Sequence, residues 1–191
     1  MDALPLVFLR IEFDDGSTIS GGSSVERYEG RIPIQTFSFK LSSKDNKVRR
    51  AGQTSKANID LERVSVSKAF DTSSFELARL AKIGNTEGGR FLEARLTVDQ
   101  HKIWTKASMG EKREQNAIIV FHLWHGYIAS VKWGASESGK GASIRETVEL
   151  AYKQVSIEYY ALDWKAPTRE GRTLRRDAPF PFEYMPEIHE E

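Results

Sequence analysis

Histidine, serine and lysine are the side chains whose spacing in this sequence first suggests chemistry. His122 and His125 stand three apart in His-Leu-Trp-His, a pair that could begin a metal site through neutral imidazole nitrogens. The surrounding residues read as a strand, in which side chains three apart point to opposite faces, and no third ligand is evident nearby. The pair is therefore poorly placed to hold one ion, and a core or interface histidine is the plainer reading. Ser138-Gly139-Lys140 resembles part of a phosphate cradle. It lacks the two glycines at the required spacing, the Ser/Thr after the lysine and a following helix. Ala135–Gly139 lacks the first glycine of a Gly-x-Ser-x-Gly nucleophile elbow. The chain has no cysteine, which removes cysteine nucleophiles, thiolate zinc sites, iron–sulfur clusters and disulfide scaffolds. No residue is assigned as catalytic, cofactor-binding or metal-ligating.

The elements that would carry any site are mostly strands. Leu4–Phe13 ends in the turn-forming Asp14-Asp15-Gly16. Ile34–Leu41 puts Phe37, Phe39 and Leu41 on one face. Ile59 and Leu61, then Val64 and Val66, continue the alternation. In Phe91–Asp99, Leu92, Ala94, Leu96 and Val98 alternate with Glu93, Arg95, Thr97 and Asp99. Ala117–Trp124 is apolar throughout except for His122, as in a strand covered on both faces. Tyr127–Trp133 and Ile144–Tyr160 follow, with a phase change near Gln154 that predicts a bulge. One helix is expected: Ser73 and Glu76 have capping-box spacing, Leu77, Leu80 and Ala81 share a face, and Gly84 suits the stop. The sum is six to nine strands with one helix at about 73–83. That describes a mainly β, antiparallel two-sheet barrel with a flanking helix.

Charge adds what the strands do not. With 28 Lys+Arg against 27 Asp+Glu, the net charge of +1 gives no overall field toward nucleic acid or anionic lipid. No apolar run approaches the roughly 18 residues of a membrane span, and Leu4–Leu9 is too short, with no basic stretch before it, for an export signal. The balance hides separated blocks. Residues 42–57 carry Lys44, Lys47, Arg49, Arg50 and Lys56 against Asp45, a basic excursion much longer than the roughly four to six residues of an ordinary connection. It contains no aromatic residue to stack bases, so contact with another protein copy is preferred, with Arg49 and Arg50 as its charged anchors. Residues 134–143 read as a flexible Gly/Ser hairpin connection containing Glu137 and Lys140. From Lys165 to Arg176 the chain is basic, and from Asp177 onward it is acidic and interleaved with Pro179, Phe180, Pro181, Phe182 and Tyr184.

The run Val64-Ser65-Val66-Ser67-Lys68-Ala69-Phe70-Asp71-Thr72-Ser73-Ser74 resembles the strand-to-helix signature of the haemolysin-coregulated protein (Hcp) family, the tube component of bacterial type VI secretion. Ile32–Leu41, Phe91–Asp99, Tyr127–Val131, the Gly/Ser hairpin and Glu146–Tyr152 are similar to its other strands, in order, over about residues 4–162. The resemblance implies a barrel domain at 1–163 with 42–57 as an extended loop, and a C-terminal extension at 164–191. It implies homohexameric rings that stack into a tube expelled by a contractile sheath behind a spike, with effector proteins as cargo and without enzymatic activity or cofactors. Lys44, Lys47, Arg49, Arg50 and Lys56 become expected subunit-interface residues, and Glu137 and Lys140 expected ring-stacking residues. Nucleic acid and stable membrane insertion are not expected. The protein would be cytoplasmic before firing and then secreted without a cleaved signal peptide. Competing readings are the tail tube of a phage or related contractile particle, a β-barrel enzyme using His122 or His125, and a nucleic-acid binder using the basic stretches.

Overall fold

A computed structural model describes residues 6–43, 59–106, 112–138, 141–162 and 182–184. Its strands pair antiparallel throughout, and apolar residue meets apolar residue across each ladder. Strand β1 (Leu6–Glu12) lies along β7 (Arg90–Lys106) with Val7 opposite Val98, Leu9 opposite Leu96 and Ile11 opposite Ala94. Across β7 and β8 (Lys112–Ser138) the same rows continue, Leu96 to Phe121 and Ala94 to Leu123. A one-residue slip would turn each of these side chains to the other face, so burial itself fixes the register.

The ends of the sheet meet on one short run. Its strand order is β2-β1-β7-β8-β9-β6-β3, where β2 is Ile32–Ile34, β3 is Thr36–Ser38, β6 is Val64–Ala69 and β9 is Gly141–Ala151. Gln35 alone separates β2, paired to β1, from β3, paired to β6, and its N–H donates to the Ser67 carbonyl at 2.8 Å. The sheet is thereby rolled around one core, the arrangement that relieves strands of open edges. Helix α1 (Ser74–Ile83) inserts Leu77 and Leu80 into that core. This is the expected antiparallel β architecture with its single flanking helix, drawn as one rolled sheet. A separate two-stranded sheet, β4 (Leu41–Ser43) with β5 (Ile59–Leu61), stands beside it. Two further strands, β10 (Gln154–Leu162) and β11 (Phe182–Tyr184), extend from β8, bringing the strands among the described residues to eleven.

Two local expectations are corrected. The bulge expected near Gln154 is a break at Tyr152–Lys153 with no extra residue, because Trp124 pairs Gln154 and Tyr127 pairs Ala151 in constant register. The face switches on both strands together, at His125 (φ 53°) and Gly126 on β8, so no inserted residue is needed. The register shift falls instead between Ile128 and Ser130. Residues 134–143 are largely strand, paired down to Ser138 opposite Gly141. Much of Ile103–Asn116, to which alternation assigns no strand, is likewise the ladder of β7 with β8. In both places the backbone ladder continues past the point where apolar alternation stops marking it.

The outward face of β7 is also covered, which alternation alone did not show. Tyr28, from the long β1–β2 connection, stacks on Phe8 at 4.3 Å and donates its hydroxyl to Asp99 at 2.8 Å. Burial and that carboxylate push the phenol up to about 12.

Gly126 is the position where the rolled sheet leaves no room. A Cβ there would stand 2.2 Å from the Ala151 carbonyl oxygen and 2.3 Å from the Phe91 ring. Gly126→Ala is expected to cost about 1–3 kcal/mol, as overpacking does, read as a lower urea midpoint with an unchanged slope.

Candidate functional site

The inward rows of β6, β9 and β8 run from the core to a rim, and chemistry changes along them. Val66, Val148 and Val131 form an apolar row, and one step further the row is Lys68, Glu146 and Trp133. Lys68 is 1% exposed and Glu146 0%, so two charges sit where alternation would place hydrocarbon. Such groups are tolerated when paired and fully hydrogen-bonded. Lys68 Nζ donates to Glu146 Oε2 at 2.7 Å and to Asp71 Oδ1 at 2.8 Å, with Ser74 Oγ and the Ala69 carbonyl each at 3.0 Å. The Ser74 hydroxyl donates to Glu146 Oε2 at 2.7 Å, and the Trp133 indole N–H donates to Glu146 Oε1 at 2.8 Å. Burial would raise the Asp71 pKa, but hydrogen bonds from Lys68 and Ser73 and the lysine charge hold it below the usual range.

The same residues start the helix, two positions earlier in the box than the sequence suggested. Ser73 makes no side-chain cap and Glu76 is engaged by Arg79. Instead Asp71 Oδ1 accepts the Ser73 N–H at 2.9 Å, and Ser74 Oγ accepts the Asp71 N–H at 3.0 Å. The Asp71 carboxylate and the Ser74 hydroxyl thus take over the capping of the helix start, tied directly to the buried lysine. The signature run read from sequence is a structural clamp joining β6, β9, β8 and α1.

Above the clamp the row continues as an uncovered apolar rim. Phe75 is 69% exposed, Ile144 50% and Trp133 49%. Phe70 binds them together: its N–H donates to the Ile144 carbonyl at 3.3 Å, and its ring meets Phe75 at 5.4 Å and Trp133 at 5.7 Å, both edge-on. Aromatic side chains carry about 150–250 Å² of contact surface each, and clustered exposure of this kind marks an interaction site.

Of the residues singled out from sequence, those that the structure describes lie elsewhere. Lys44, Lys47, Arg49, Arg50 and Lys56 fall outside the described residues, and so does Lys140. The base of their loop is the β4–β5 pair, beside which Lys40 pairs with Glu62 and Arg63 with Glu149 at 3.0 Å. Glu137 lies on β8 opposite Ala142 in the backbone ladder. His122 and His125 are not brought together. His122 Nδ1 is 2.5 Å from Glu93 Oε1, and its ring stacks on Trp124, while His125 is exposed. The His122 hydrogen bond, with Arg95 beside it, holds the Glu93 carboxyl below its ordinary value. Among the described residues no group of three His, Asp or Glu side chains could hold a metal ion, and no helix is long and apolar enough to cross a membrane. Sequence reading missed Lys68, Glu146 and Trp133 as a unit. Their signal was a charge on the inward phase of each of two strands.

The described residues thus form a rolled antiparallel sheet with one flanking helix and an uncovered aromatic rim. The chain belongs to the Hcp family: the family model described as "Type VI secretion system effector, Hcp" matches residues 8–159. Solved structures share the fold. Hcp1 from Salmonella typhimurium is 20% identical, with 86% of this chain and 97% of that one covered at a TM-score of 0.56. Hcp1 from the E. coli EAEC 042 pathovar is 19% identical, covering 92% and 99% at 0.56. A type VI secretion system effector from Yersinia pestis is 10% identical, covering 93% and 98%, also at 0.56. No curated protein sequence matches the chain.

Removing one member of the clamp strands its partner. Lys68→Met is expected to cost about 3–5 kcal/mol in urea unfolding, and Lys68→Met/Glu146→Leu to cost less than that single change. Acid should act on the same clamp. Asp71 is lowered in the folded state, so its contribution is complete above the unfolded carboxylate pKa of about 3.9 and disappears as pH falls through the lower folded value. Stability should therefore hold between neutral pH and about 5, then drop. Asp71→Asn should be less stable at neutral pH and lose less on acidification.

Proposed function

We propose that this chain, as an Hcp subunit of the type VI secretion tube, closes into six-membered rings using the Phe75–Trp133–Ile144 rim as its main subunit contact. The observation that carries the reading is the exposure of that rim on a base that cannot yield. Trp133 is held by Glu146, Glu146 by Lys68 and Ser74, and the helix start by Asp71, so the rim is presented in one geometry. Preorganised aromatic surface loses little conformational entropy on association. A head-to-tail contact of this kind closes into a ring when its rotation suits the copy number.

In this reading residues 1–163 form the assembling barrel and 164–191 an extension. The basic loop carrying Lys44, Lys47, Arg49, Arg50 and Lys56 adds oriented charge contacts to a neighbour, which set register and encounter rate more than affinity. Glu137, near the end of β8, and Lys140 serve ring-to-ring stacking. The chain works by association and not by catalysis. Its partners are further copies of itself, the contractile sheath, the spike and effector cargo, and it is built in the cytoplasm and then expelled.

The test is sizing by light scattering together with negative-stain microscopy. Phe75→Ala/Trp133→Ala should abolish six-fold rings and leave subunits with unchanged far-UV circular dichroism. Arg49→Glu/Arg50→Glu should weaken ring formation and make it more salt-sensitive. Undisturbed rings in the aromatic double variant would overturn the assignment of the rim.

A further inference from the structure

Strand β10 is an edge that lacks the usual protections. Its nine residues, Gln-Val-Ser-Ile-Glu-Tyr-Tyr-Ala-Leu, contain no lysine and no proline. Its register against β8 runs without a shift from Gln154 to Leu162. Proteins blunt such edges with lysine, proline or bulges, because a long regular edge pairs with strands of other copies. Here the protection comes from the far end of the chain. Strand β11 pairs antiparallel with β10, Tyr184 opposite Val155, Glu183 opposite Ser156 and Phe182 opposite Ile157.

The sequence around β11 is unlike that of β10. Pro181 immediately precedes the strand, Pro179 lies two residues earlier, and Pro186 lies two residues beyond Tyr184. Proline donates no backbone hydrogen bond and is confined to sheet edges. A strand bracketed in this way can dock on an edge but makes a poor template for the next strand. Residues 163–181 supply ample chain for the return. Fully extended they would reach about 60 Å, whereas the stretch of β10 from Leu162 back to Ile157 rises about 17 Å.

We propose that Phe182–Tyr184 is a built-in edge cap, a strand of the chain's own C-terminal segment that occupies the β10 edge and keeps a second copy from pairing there. The cap is independent of the aromatic rim, so it limits association at β10 without entering the ring contact.

The absence of native cysteine makes the test clean. In full-length Ser156→Cys/Glu183→Cys, whose two positions face each other across the ladder, mild oxidation should give a disulfide within one chain. It would be seen as faster migration on a non-reducing gel with no dimer band. Absence of closure, or closure between chains, would overturn the cap. Full-length Glu183→Pro/Tyr184→Pro removes the N–H groups of two successive strand residues, one of which must face β10, and should release the segment. Placed in the Phe75→Ala/Trp133→Ala background, it should produce concentration-dependent species larger than that background alone, with faster amide exchange over Val155–Ile157. Unchanged size and exchange would count equally against the cap. The disulfide reads one strand pair and the microscopy reads rings, so either proposal can fail while the other stands.

Discussion

The ion pair between Lys68 and Glu146 is the constraint around which the rest of the molecule is arranged. Taking two charges out of water carries a desolvation penalty of several kcal/mol per ion unless geometry and hydrogen bonding offset it. Here both carboxylate oxygens of Glu146 are engaged, one by lysine and serine and the other by the Trp133 indole. The lysine in turn reaches the residues that start the helix. The pair therefore sits where three strands and the helix meet, and one set of hydrogen bonds defines all four positions. Its value is in specifying that junction more than in net stability, which well-packed hydrocarbon could match.

The location of the clamp also divides the molecule by role. Below it the rows of valine, leucine and isoleucine form a core whose logic is packing. Above it the same rows emerge as Phe70, Trp133 and Ile144, joined by Phe75 of α1 in an apolar rim that the fold leaves uncovered. A sheet rolled in this way satisfies most of its backbone internally, and the contacts proposed above lie on what extends past the roll: the rim, the β4–β5 stem and the β7–β8 and β8–β9 ribbons. A tube subunit needs several such surfaces pointing in different directions, and rolling the sheet leaves them at its periphery.

Period-2 alternation made the strands legible, because each ladder buries one face and repeats it every second residue. The helix was legible from its apolar spacing and from Gly84, whose N–H bonds to the Leu80 carbonyl at 2.8 Å. Where alternation stopped being informative, reading failed in a consistent way. The ends of the β7–β8 and β8–β9 ribbons are held by backbone pairing and carry no apolar rhythm. The cap was displaced because Ser73-Ser74 offers two serines, and the nearby lysine decides which one is used by drawing Asp71 and Ser74 to itself. Tyr28 was invisible because a covering residue from a loop has no period at all.

The clamp itself was within reach of the sequence. Val64 and Val66 fix the inward phase of β6, and that phase places Lys68 inward as well. Val148 and Leu150 do the same for β9, and that phase places Glu146 inward. One inward charge on a strand is an anomaly that reading tends to dismiss as a strand end or a bulge. Two inward charges of opposite sign, each two residues beyond a buried valine, are a pairing rule, since neither can be buried without the other. Applied to the two strands, that rule aligns Lys68 with Glu146 and Val66 with Val148, which is the register the structure shows. The same charges that balance in the overall composition thus have a specific job here: a buried charge constrains topology more tightly than another valine would, because it accepts far fewer partners.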